Sequence, residues 1–192
     1  SRDEGKNLAL SNYFIAEYFP TQEWRVRARI GLTYGNDDTE KFYSPNDTRY
    51  ENVEMIKKGQ YTSTNTRSNQ VEGELSVTYA KVLGKHRINL VAGGNVFSNK
   101  SLTQGYSAVG FPEGDFTYPS FSNGYPENGT PTYYESVSRS VNGYFNTGYS
   151  FDDRYLMDFS LRTSGSSVFG TSRKYNTTWS VGLGWNLHKE KF

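Results

Sequence analysis

Hydrophobic and polar residues alternate along most of this chain. From Trp24 the even positions Trp24, Val26, Ala28, Ile30, Leu32 and Tyr34 are apolar, while Arg25, Arg27, Arg29 and Thr33 occupy odd ones. A period of two sends successive side chains to opposite faces of a pleated strand, so this segment has one apolar and one charged face. The pattern recurs in 71–81, 86–96, 139–151, 154–162 and 178–187, and less cleanly in 8–18. Periods of 3.6 are nearly absent, so the chain is read as all-β with about seven strands.

The connections between these segments sort by length. Residues 19–22, 83–85 and 151–153 make tight turns, whereas 35–69, 98–138 and 164–175 are long, and the two kinds alternate. In an antiparallel up-and-down meander successive connections fall at opposite ends of the sheet, so all tight turns share one rim and all long loops the other. Outer-membrane barrels have this asymmetry. A Greek-key sandwich has no physical reason for it. A soluble or surface-attached β-sandwich, binding carbohydrate or mediating adhesion, is the alternative.

Composition narrows the reading. Of 192 residues, 16 are Tyr, 12 Phe and 3 Trp, beside 19 Gly, yet the mean hydropathy is −0.76. An aromatic-rich but hydrophilic chain suits strands with one wet face. The 21 basic and 20 acidic residues nearly cancel, which argues against nucleic acid as a partner. The absence of cysteine rules out disulfides, thiolate metal sites and cysteine nucleophiles. Arg25, Arg27 and Arg29 cannot face hydrocarbon, where each costs about 2–4 kcal/mol at the bilayer midplane. They are lumen-facing candidates, either favouring anionic cargo or paired with acidic neighbours.

No phosphate-binding loop, nucleophile elbow or zinc-binding helix motif occurs, and the two histidines, His86 and His188, each flank a tight turn; no catalysis, metal or cofactor is expected. Asn36-Asp37-Asp38 and Asn46-Asp47 offer oxygen ligands without the spacing of a calcium loop and are read as polar loop tips. The segment 106–134 carries Tyr106, Phe111, Tyr118, Phe121, Tyr125, Tyr133 and Tyr134 among Gly and Pro. Such a loop either stacks on substrate or a partner protein, or folds on its own aromatics.

The run from Arg139 to Leu156, with Asp152-Asp153-Arg154-Tyr155-Leu156 at its turn, continues into Arg162-Thr163-Ser164-Gly165-Ser166-Ser167-Val168-Phe169-Gly170 and then Ser180-Val181-Gly182-Leu183-Gly184-Trp185. This resembles a signature of the SusC/RagA family of TonB-linked outer-membrane transporters of Bacteroidetes. The match is specific from Arg139 onward and looser before it. Ser164 stands where that family often has an acidic residue, and Thr177-Thr178 where Phe-Pro is common. The resemblance implies a 22-stranded transmembrane barrel in the cell outer membrane, of which residues 1–192 are a partial β-barrel domain without signal, plug or TonB-contacting segment. It also implies import of a glycan or peptide oligomer, a SusD-like surface lipoprotein as partner, contact with outer-membrane lipid, and energy from the TonB-ExbB-ExbD complex.

Overall fold

A computed structural model describes residues 1–168 and 174–191. Seven strands follow one another: β1 (Arg2–Tyr18), β2 (Trp24–Tyr43), β3 (Gln60–Leu83), β4 (His86–Val109), β5 (Thr132–Phe151), β6 (Tyr155–Val168) and β7 (Lys174–Trp185). All belong to one sheet, in the order β1-β2-β3-β4-β5-β6-β7. The meander expected from the alternation is therefore present, and the single sheet sets aside a two-sheet sandwich.

The strands are longer than their apolar alternation suggests. β3 and β4 have 24 residues each, more than twice the roughly 9–11 that cross a bilayer. Residues 35–43 and 60–69, expected to be loop, are strand. Asn36, Asp37 and Asp38 thus lie inside β2 and not at a loop tip. From Asn36 to Lys41 and from Thr62 to Asn69 both faces are polar, so no period-two hydrophobic signal marks these stretches. Cross-strand polar pairs hold them instead. Thr66 and Thr103 hydroxyls meet at 3.1 Å and Thr62 and Ser107 at 3.0 Å, and Lys100 bridges to Glu135 at 2.8 Å. The long connections shorten to 44–59 and 110–131, and the third, 169–173, with Phe169 and Gly170 of the signature, lies outside the described residues.

Backbone contacts divide the chain into two compact units. A loop-end unit comprises Ser1–Leu10, Thr33–Asn69 and Lys100–Ser136; a turn-end unit comprises Ser11–Leu32, Gln70–Asn99 and Val137–Phe192. In the loop-end unit Phe42, Tyr61, Ala108 and Phe111 form a buried cluster, with Tyr106 packed against it. In the turn-end unit many apolar side chains are exposed: Trp179 by 71%, Leu183 by 80%, Val141 by 54%. Soluble domains do not leave so many large apolar groups uncovered on one face.

Register explains that face. Phe145 pairs with Leu161 and Leu161 with Trp179; Thr147 with Phe159 and Phe159 with Val181; Tyr149 with Met157 and Met157 with Leu183. Alternation then places the rows Tyr144–Arg162–Thr178, Asn146–Ser160–Ser180 and Gly148–Asp158–Gly182 on the opposite face. A slip by one residue would send every one of these to the wrong side.

Candidate functional site

The polar face of the turn-end unit carries two distinct regions. The first surrounds the arginines of β2. Arg25 donates to Glu17 Oε1 at 2.6 Å. Arg27 Nε lies 3.6 Å from that same carboxylate oxygen, too far for a hydrogen bond. Arg29 reaches Glu72 Oε1 at 3.4 Å and stacks its guanidinium 4.5 Å from the centroid of Tyr13. Gly31, two positions on, makes room for this arrangement: a Cβ there would stand 2.7 Å from Glu72 Cγ and 2.8 Å from Tyr13 Cε1. The three arginines are thus tied to carboxylates of β1 and β3, and the exposed pairs contribute little net stability, about 0–1 kcal/mol each.

The second region is a groove of about 540 Å³ over β5, β6 and β7. Its wall is built of amides and hydroxyls around Arg162, with Tyr144 and Asn146 on one side and Thr178 and Ser180 on the other. Asn142 donates to Asn95 Oδ1 at 2.7 Å. Neither the alternation nor the composition singles out this groove, because it forms only when three strands come into register; the polar positions of the Arg139-to-Leu156 run were its one signal.

At the tight turns aromatic and charged side chains gather. Trp24 and Tyr79 pack with centroids 4.7 Å apart. His86 Nδ1 and Tyr149 Oη are 2.6 Å apart, the His86 ring lies 5.0 Å from Phe151, and Tyr155 stacks between Phe151 and Trp185 at 6.4 Å from each. Below them Arg154 bridges to Glu190 at 3.1 Å and Arg87 to Asp153 at 3.4 Å.

In the loop-end unit the aromatic candidates separate. Phe111, 3% exposed, is the most buried of the cluster and meets Phe42 edge-on at 5.1 Å. Its place in the core takes it away from any ligand. Tyr106 packs beside Tyr61 with centroids 6.0 Å apart. Phe121 is exposed and rests edge-on against Phe116 at 5.1 Å. Tyr118, Tyr125, Tyr133 and Tyr134 are exposed by 54–68%, but only the first two are loop residues: Tyr106 lies in β4, and Tyr133 and Tyr134 lie in β5, where the strands run on past their apolar alternation. The two loops brace each other: Phe111 N–H and Gly110 N–H both donate to the Lys58 carbonyl, at 2.9 and 3.1 Å. Lys57 bridges Glu54 at 3.4 Å and Glu127 at 3.5 Å, and these carboxylates, Glu54 first, hold its ammonium above the usual lysine range. Asp47 caps a short 3-10 turn by accepting from Arg49 N–H at 3.2 Å, and this bond and the Arg49 guanidinium keep its carboxyl below the ordinary aspartate value. Arg49 in turn sits 3.8 Å over the Tyr43 ring.

Among the described residues no three His, Cys, Asp or Glu side chains converge as metal ligands would. Asn36, Asp38 and Asn65 do meet, Asn36 donating to Asp38 at 3.0 Å and Asn65 to Asn36 at 3.0 Å, but as a hydrogen-bonded cluster of one carboxylate and two amides.

No protein-family model matches the chain. A TonB-dependent receptor of Formosa agariphila is 23% identical over 191 residues, covering 97% of this chain and 19% of that protein. TonB-dependent receptor SusC of Bacteroides thetaiotaomicron is 29% identical over 120 residues, covering 60% of this chain and 11% of that protein. The RagAB peptide transporter superimposes with a TM-score of 0.81 at 19% identity, over 98% of this chain and 21% of that one. In sequence and in fold this chain is similar to the TonB-dependent receptors. It spans about a fifth of the length of these relatives. Their barrels alternate apolar-out and polar-in, which is the alternation of the Phe145–Leu161–Trp179 and Tyr144–Arg162–Thr178 rows.

Proposed function

We propose that this chain forms part of the barrel wall of an outer-membrane importer of nutrient oligomers, glycan or peptide. In this reading the apolar face of the turn-end unit meets outer-membrane lipid and the polar face lines the passage through a barrel of 22 strands. The exposed loop-end aromatics Tyr118, Phe121, Tyr125, Tyr133 and Tyr134 then contact cargo or a SusD-like surface lipoprotein, and a TonB-ExbB-ExbD complex supplies the energy through a plug. The chain contributes wall and lid, with no catalytic step of its own. The observation that carries the reading is the in-register split of β5, β6 and β7 into an exposed apolar face and a polar one. The family likeness supports the coupling to TonB.

The test is cell fractionation and uptake with the full-length protein. It is expected in the outer-membrane fraction, heat-modifiable on electrophoresis, copurifying with a surface lipoprotein, and its deletion is expected to abolish growth on one class of oligomer. A 192-residue chain that is monomeric without detergent and unfolds in two states would overturn the membrane assignment.

A further inference from the structure

The cations on the polar face differ in one respect. Arg25, Arg27 and Arg29 each face a carboxylate of a neighbouring strand. Arg162 has none. Its row partners are Tyr144 and Thr178, and the adjoining rows hold Asn142, Ser164 and Asn176 on one side and Asn146, Ser160 and Ser180 on the other. No acid stands on the polar-face positions of β5 or β7. The nearest acid along β6 on that face, Asp158, is four residues away, roughly 13 Å at the rise of a strand. The Arg162 side chain is exposed into the groove, and among the described residues no carboxylate comes within ion-pair distance of it.

From this we infer that the groove is a binding site for an anionic group, a carboxylate carried by the cargo, with Arg162 as its anchor. The inference rests on the import reading for its cargo. A guanidinium presents a planar fork of donors that matches a carboxylate bidentately, and a partly walled groove weakens its competition with water. Asn146, Ser160, Thr178 and Ser180 supply uncharged donors and acceptors for the rest of a sugar or peptide, and Tyr144 offers an aromatic surface beside them. A groove of about 540 Å³ falls in the ordinary range for small-ligand sites. Fixed neutral dipoles around a single unneutralised cation select for one negative charge on a polar ligand, where the paired arginines of β2 would not.

The test titrates the full-length protein in detergent with two acidic probes, tetragalacturonate and tetraglutamate, each against its neutral counterpart, tetragalactose and tetraglutamine. One acidic probe is expected to bind at least tenfold more tightly than its neutral form, and which one names the carrier. Arg162→Gln should erase that preference, a loss of roughly tenfold to a hundredfold for a charge-assisted hydrogen bond. Arg162→Lys, which keeps the charge and the fold, should retain most of it, and the preference should shrink with added salt. The inference is overturned if neither acidic probe is preferred, if a folded Arg162→Gln protein keeps the preference, or if removing the charge only lowers the melting temperature, which would make Arg162 a partner of the protein's own acidic residues. Uptake of the bound probe by cells is scored separately: binding without uptake removes the import reading and leaves the site standing.

Discussion

The two units of this chain solve the problem of apolar side chains in opposite ways. In the loop-end unit Phe42, Tyr61, Ala108 and Phe111 are covered by the protein's own loops, to 9% exposure or less. In the turn-end unit Val181, Leu183 and Trp179 are left 55–80% exposed by a sheet that supplies no second layer. The same polypeptide strands serve both. Burial within the chain drives the first arrangement through the hydrophobic effect in water. The second is stable only where the surroundings are themselves apolar, and there the hydrogen-bonded ladder between neighbouring strands is what the surroundings demand. Exposure alone therefore does not mark a defect; the in-register rows Phe145–Leu161–Trp179, Thr147–Phe159–Val181 and Tyr149–Met157–Leu183, gathered on one face of β5, β6 and β7, are what identify the second arrangement.

Three experiments probe this contrast, in falling order of effect. Phe111→Ala removes a ring from the buried cluster of Phe42, Tyr61 and Ala108, and core Phe→Ala changes cost about 3–5 kcal/mol. The expected outcome is rapid proteolysis within residues 44–59 and 110–131 with membrane insertion unchanged. Equal protease resistance in the variant would mean that the loops do not depend on this cluster.

Leu161→Arg places a cation on the apolar face of β6, while Ser160→Arg, one residue away, places it on the polar face. The first is expected to lose about 2–4 kcal/mol in folding into vesicles if Leu161 lies near the midplane, and the second close to nothing. Urea titrations in lipid vesicles measure both. Similar losses for the two variants would contradict the two-solvent description of the sheet.

The smallest effect is that of acid on the loop cap. Because Arg49 N–H and guanidinium lower the Asp47 carboxyl below its ordinary value, the cap contributes fully above the unfolded aspartate pKa of about 3.9 and is lost as pH falls through the lower folded value. Amide exchange in residues 44–59 should therefore accelerate below about pH 4 in the wild type, and this acid step should be absent in Asp47→Ala. An unchanged acid step in the variant would assign it to another carboxylate.

Much of the turn-end unit was legible in the sequence. Strands with one apolar face advertise themselves, and 24–34, 71–81, 86–96 and 139–151 all fall inside β2, β3, β4 and β5. The extensions were not legible, because Asn36 to Lys41 and Thr62 to Asn69 are polar on both faces and read as loop. Tyr118 and Tyr125 are exposed as an aromatic-rich surface loop suggests, but Phe111 lies within the same glycine- and proline-rich stretch and nothing in its neighbours distinguishes it. Its burial depends on Phe42, some seventy residues away.

By itself the sequence determined the period of two, and with it the all-β class, the strand number, and the assignment of Arg25, Arg27 and Arg29 to the face opposite Trp24 and Ile30. These are local properties, set by the geometry of a single strand. The tertiary structure alone decided which side chains become neighbours across strands. It brought Glu17 and Glu72 to the β2 arginines, placed Phe111 under the loops, and left Arg162 between Tyr144 and Thr178 without an acid. Register is a long-range choice, fixed by the sheet as a whole, and so the charge balance of the polar face could be read only after the strands were paired.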